Sequence, residues 1–169
     1  VHHIAQTARY STFVNTKRKT YSNFHMLYSQ DRTKQRQFLA RSWQKFTNKE
    51  SLEPLETLLA SIIKIHPEYH DLINNVDLDY FPEQGEVNPF LHINLHLALR
   101  DQLSINQPAG IKEVYDKLLA KLKDEHAVEH LMMDCIAEMI FSSQKNNSPM
   151  DHHAYFRCIQ NQVDNNECQ

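Results

Sequence analysis

Apolar side chains recur every three to four residues along most of the chain, the spacing that places them on one face of an α-helix. Phe38, Leu39, Trp43 and Phe46 form the first stripe, behind Asp31, which can cap a helix ending near Phe46. A second stripe starts near Ser51, with Pro54 in its first turn, and runs through Leu55, Leu58, Leu59, Ile62, Ile63 and Ile65. His66-Pro67 interrupts it, because proline lacks an N–H and its ring bends or restarts a helix. A short helix from Pro67 to Ile73 is expected next. Residues 74–87, with Tyr80, Phe81, Pro82 and Gly85, read as a long loop, and loops of that length in a small domain often carry function.

Asn88-Pro89 is a strong helix start: Asn caps free N–H groups and Pro fits the first helical position. The helix predicted from there to about Ile105 is apolar almost all round, through Phe90, Leu91, Ile93, Leu95, Leu97, Ala98, Leu99 and Leu103. That pattern marks a central, buried helix. Pro108 is expected to open another, through Ile111, Val114, Leu118, Leu119 and Leu122. Asp124 caps a further one to about Gln144, and the last covers Asp151 to Gln162. No segment alternates with period two. The expected class is all-α, a single-domain helical bundle of five to seven helices.

Composition narrows this only a little. With 169 residues, 41% hydrophobic and 23% charged, the chain can bury one sizeable core. Two Gly and six Pro argue against a turn-rich β-sandwich and against a Gly-rich phosphate loop, so no nucleotide cofactor is expected. No run of about 18 uncharged apolar residues exists, hence no transmembrane segment is expected. The odd number of cysteines (Cys135, Cys158, Cys168) and the lack of a CxxC fit a reducing compartment better than a disulfide-stapled secreted domain.

Charge is unevenly divided. Residues 1–50 carry ten Lys or Arg and two acids, whereas residues 51–169 carry eight and nineteen, so +8 faces −11 within a net charge of −3. A basic segment can meet nucleic acid, anionic lipid or an acidic partner protein, or dock on the acidic body of its own chain. The last is favoured, since Arg32, Lys34, Arg36, Arg41 and Lys45 do not cluster tightly. Residues 1–25 hold no acid, many Ser and Thr, and the triplet Lys17-Arg18-Lys19, the composition of an organellar transit peptide, but Met26 just before the first expected folded element favours a disordered extension or an upstream start. The helical domain is then expected over residues 26–160, with a flexible tail at 161–169.

Histidine is the informative residue. Six of the 11 fall in pairs spaced i, i+4: His66/His70, His92/His96 and His126/His130. Random placement gives about 0.7 such pairs, so the spacing calls for an explanation. On a helix it stacks two imidazoles one turn apart on one face, where both can reach one ion. Near a helix N-terminus the dipole also favours the neutral, ligand-competent ring. Glu129, three residues after His126, can serve as a ligand or a general base. The candidate metal set is therefore His66, His70, His92, His96, His126, His130 and Glu129, and imidazole-rich sets suit zinc or iron. There is no His-Glu-x-x-His, so zincin protease chemistry has no support.

Two functional readings stand side by side. In the first, the chain is a metal-binding helical bundle, with metal-dependent hydrolysis or oxidation as the range of activity. In the second, the histidines are core residues hydrogen-bonded to carbonyls or carboxylates, and the protein is a non-catalytic module for protein or nucleic acid.

The segments Pro54-Leu55-Glu56, His66-Pro67-Glu68-Tyr69-His70, Pro82-Glu83-x-Gly85 and Asn88-Pro89-Phe90-Leu91-His92 with His96 resemble a mainly proteobacterial family, that of domain of unknown function 1841. Gln107-Pro108-x-Gly110-Ile111, Glu129-His130, Cys135 and Glu138 extend the likeness, which spans roughly Met26 to Cys158. The resemblance implies a soluble bacterial protein of the cytoplasm and carries no activity with it.

Overall fold

The computed structural model describes residues 32–75 and 88–165. The extension at 1–25, most of the 74–87 loop and the end of the tail lie outside the described residues. Those described form seven α-helices and one 3-10 turn, with no strand among them, so the architecture is an all-α helical bundle. The chain divides into two compact units, Val1–Asp79 and Tyr80–Gln169.

In the first unit, α1 (Arg32–Thr47) packs against α2 (Pro54–Lys64) and α3 (His70–Asn74). Leu39, Trp43, Leu59, Ile62, Ile63 and Ile73 are buried there, each contributing about 1.5–3 kcal/mol relative to exposure. A capping box starts α2: Glu53 caps the helix while the Glu56 carboxylate accepts from the Glu53 N–H at 2.9 Å. The same carboxylate accepts from Lys45 Nζ at 2.9 and 2.7 Å, which ties α1 to α2. Lys45 thus supports the reading in which basic residues of the N-terminal segment dock on acids of their own chain. Pro67 breaks the helical run as expected. Pro67–Tyr69 is a 3-10 turn with His66 at its N-cap, and α3 begins only at His70.

The second unit holds α4 (Pro89–Ile105), α5 (Ile111–Leu122), α6 (Glu125–Asn146) and α7 (His152–Asn165). α6 packs against the other three. The core joins Leu95 and Leu99 of α4, Ile111, Val114 and Leu118 of α5, Val128, Met132, Met133, Ile136 and Met139 of α6, and Tyr155 and Ile159 of α7. The methionines of α6 are core residues, as their helical spacing implies. Asn88 Oδ1 accepts from the N–H groups of Phe90 and Leu91, both at 3.1 Å, so the cap read from sequence starts α4. Asp124 does the same for α6, accepting from His126 and Ala127 at 3.0 and 3.1 Å.

Several boundaries differ from expectation: α2 starts at Pro54 and not near Ser51, and α6 runs to Asn146, two residues past Gln144. Pro108 does not open α5: the Gln107-Pro108 peptide is cis, Gly110 turns the chain at φ +92°, and the helix starts at Ile111. α7 continues to Asn165, three residues past the predicted end. No helix among the described residues is long and apolar enough to cross a membrane.

Candidate metal centre

The N-terminal halves of α4 and α6 build the site. α4 presents His92, His96 and Arg100 at successive i+4 positions, a polar stripe along one face of the helix. α6 presents His126, Glu129 and His130 within its first two turns. Helix geometry therefore brings both i, i+4 pairs of this unit to one place, each near a positive helix end.

The imidazoles pack ring against ring. Centroids lie 5.0 Å apart for His92 and His96, 4.9 Å for His92 and His130, and 5.1 Å for His96 and His130. His126 sits beside them, 4.2 Å from His130 and stacked on His96 at 5.5 Å. One ring nitrogen from each of His92, His96 and His130 lies within 4.8 Å of the others. Imidazole nitrogens at about 2.0–2.1 Å from a tetrahedral ion are about 3.4 Å apart. The Nε2 atoms of His92 and His130 are shut off from solvent.

Glu129 organises His96. Its Oε2 accepts from His96 Nδ1 at 2.5 Å, and Arg100 donates from Nε to Oε1 at 2.8 Å and from Nη2 to Oε2 at 3.2 Å. His96 is fully buried and Glu129 nearly so. Burial pushes the Glu129 carboxyl up, but the hydrogen bonds from His96 and Arg100 and the Arg100 charge outweigh it and hold the group below the ordinary range. A neutral His96 that donates through Nδ1 carries its lone pair on Nε2, the form in which a carboxylate partner orients a metal-ligating histidine. Half-buried Tyr115 of α5 feels the same charges: burial, then Glu125 and Glu129, push its phenol up against the pull of Arg100.

The remaining candidates belong to the first unit. His66 is buried, shares a 2.8 Å hydrogen bond through Nδ1 with Glu68, and stacks on Tyr69. His70 donates from Nε2 to the Ile63 carbonyl at 3.0 Å, and its ring lies 4.4 Å from that of Trp43. Because Pro67 breaks the helix between them, these two do not share a helical face as the pairs on α4 and α6 do. The Glu56 carboxylate of this unit is engaged by Lys45 and the Glu53 N–H.

Sequence reasoning did not single out Arg100. Its signal was the continuation of the His92/His96 spacing by one further turn. Cysteine pairing was missed as well: Cys135 and Cys158, 23 residues apart on α6 and α7, form a disulfide, against the expectation of unpaired thiols. Nothing in a one-dimensional spacing signals that contact.

These observations define a class, an all-α protein with a partly buried histidine cluster braced by an ion-paired carboxylate. The chain belongs to the family described as domain of unknown function 1841, whose model matches residues 31–161. That span takes in every residue of the cluster and both bonded cysteines. No curated protein and no solved structure matches the chain.

Proposed function

We propose that the second unit is a metal-binding module. Ring nitrogens of His92, His96 and His130 hold a divalent ion, His126 stands beside them, and Glu129 orients His96 from behind. The observation that carries this reading is the convergence of three ring nitrogens within 4.8 Å, one of them on the His96 ring, which donates through Nδ1 to a buried carboxylate. His70 illustrates the contrasting, structural use of histidine, donating to a backbone carbonyl and packing on an indole.

A donor set of imidazoles favours zinc or iron over calcium or magnesium, which prefer oxygen. Zinc supplies Lewis acidity and iron adds redox chemistry, so hydrolysis or oxidation is the corresponding class of activity. The chain's own contribution is to fix the tautomer of His96, to balance the Glu129 charge with Arg100, and to keep the site largely dry.

The test is elemental analysis of the full chain, purified without a histidine tag, beside a His92→Ala/His96→Ala variant whose helicity is checked by circular dichroism. The expected result is close to one zinc or iron per chain, lost in the variant. A folded wild-type chain that retains no metal after incubation with Zn(II) and, anaerobically, with Fe(II) overturns the proposal.

A further inference from the structure

The face formed by α6 and α7 carries chemistry that the histidine cluster does not use. Cys135 and Cys158 are bonded there with their Cα atoms 5.8 Å apart, but the two sulfurs live in different surroundings. Cys135 is 1% exposed and belongs to the core with Met132, Ile136, Tyr155 and Ile159. Cys158 is half-buried and lines two adjoining depressions, of about 150 and about 350 Å³, whereas Cys135 lines only the smaller one. Glu138 Oε2 lies 3.9 Å from Cys158 Sγ, and Gln162 Nε2 lies 3.8 Å from Cys135 Sγ. We propose that this pair is a thiol–disulfide exchange site, where a small thiol attacks Cys158 and Cys135 is the leaving sulfur.

Access decides the direction. Exchange requires a thiolate to approach one sulfur from outside the bond, and only Cys158 faces open space on both depressions. The incoming thiolate forms a bond to Cys158 Sγ, and the S–S electron pair departs on Cys135 Sγ. The Gln162 amide N–H donates to that developing thiolate, which then takes a proton from water. A second thiolate attacks the outer sulfur of the mixed disulfide and releases Cys158 as a thiolate. That sulfur is protonated in turn, and its thiol can donate to Glu138. Two small thiols are oxidised to one disulfide, and the protein disulfide is reduced to two thiols.

The fold does not depend on the bond alone. Tyr155 and Ile159 anchor α7 in the core, the Tyr155 hydroxyl donates to Gln102 Oε1 at 2.6 Å, and Lys121 Nζ donates to the Val163 carbonyl at 2.9 Å. These contacts hold α7 in place while the disulfide opens, which separates an exchange site from a purely structural staple. The wall of the smaller depression is mixed: Ser142, Ser143, Ser148 and Asp151 offer polar groups to a small polar thiol beside the apolar Met139 and Pro149.

The experiment uses the full chain carrying Cys168→Ser, incubated with glutathione at graded ratios of reduced to oxidised form. Protein thiols are trapped with a maleimide, and adducts are located by peptide mass spectrometry. The expected results are reduction of the native pair with unchanged helicity, and a stable glutathione adduct on Cys158 when Cys135→Ser is added. With Cys158→Ser instead, Cys135 forms its adduct at least about tenfold more slowly. Gln162→Leu slows opening of the native pair about fivefold, the worth of one hydrogen bond; this arm decides the matter if a cysteine variant does not fold. A pair that opens only in denaturant overturns the proposal. So do equal reactivity of the two sulfurs, and a chain whose thiols oxidised glutathione does not join.

Discussion

Replacing Glu129 separates an organised site from a fortuitous gathering of rings. The residue is 5% exposed, and its carboxylate accepts hydrogen bonds from His96 Nδ1 at 2.5 Å and from Arg100 at 2.8 and 3.2 Å. Glu129→Ala strips a partner from a buried imidazole N–H and from a guanidinium at once. Breaking a fully buried pair costs about 3–5 kcal/mol. The Arg100 side chain is 24% exposed, however, so water recovers part of its solvation. The loss expected for the metal-free protein is therefore about 2–3 kcal/mol. Glu129→Gln keeps the volume and one acceptor but turns an amide donor toward Arg100 or His96, and about 2 kcal/mol is expected. In either variant His96 loses the partner that sets its tautomer, and zinc affinity should fall about 10–100-fold. Urea titration of the metal-free chains reads the first effect, and zinc competition with a chromophoric chelator reads the second. Stability within about 0.5 kcal/mol of wild type, together with unchanged zinc affinity, would refute the reasoning.

Three further outcomes test the packing and the electrostatics. Leu118→Ala, at a fully buried position of the second unit's core, should cost about 2–5 kcal/mol by urea denaturation; a loss below about 1 kcal/mol would mean that the core is not packed as described. Gly110→Ala should destabilise by more than about 1 kcal/mol, because φ is +92° and a Cβ there meets Phe156 at 3.3 Å; a neutral result by thermal melting would contradict that turn. Glu56 should contribute to acid sensitivity. The hydrogen bond from Lys45, then that from the Glu53 N–H, hold its carboxyl below the ordinary value. Its contribution is thus complete above the unfolded-state pKa and lost as pH falls through the lower folded-state value. Glu56→Gln should flatten the stability profile over that acidic window, and an unchanged acid limb would dismiss the pair's role.

What could be read from the sequence was local. The caps at Asn88 and Asp124 were legible because a side-chain acceptor, a short helical spacing and the following apolar stripe lie within a few residues of each other. The pairs His92/His96 and His126/His130 were legible for the same reason, and their helices bring them together. The His66/His70 spacing looked identical, yet Pro67 sets it across a break, so the shared-face argument applies to two pairs of the three. Glu129 drew notice as a neighbour of His126, but its partners are His96 and Arg100, 33 and 29 residues away. Tertiary packing alone decides such pairings. The same holds for Cys135 with Cys158, and for Pro108, where the positive φ of Gly110 moved the helix start to Ile111.

The most direct test of the central claim is X-ray absorption at the metal edge of the zinc-loaded full chain, compared with His130→Ala. The account predicts a first shell of nitrogen at about 2.0–2.1 Å with the outer-shell scattering of imidazole rings, and one imidazole fewer in the variant. A shell of oxygen without imidazole scattering, or a spectrum that His130→Ala leaves unchanged, would contradict it.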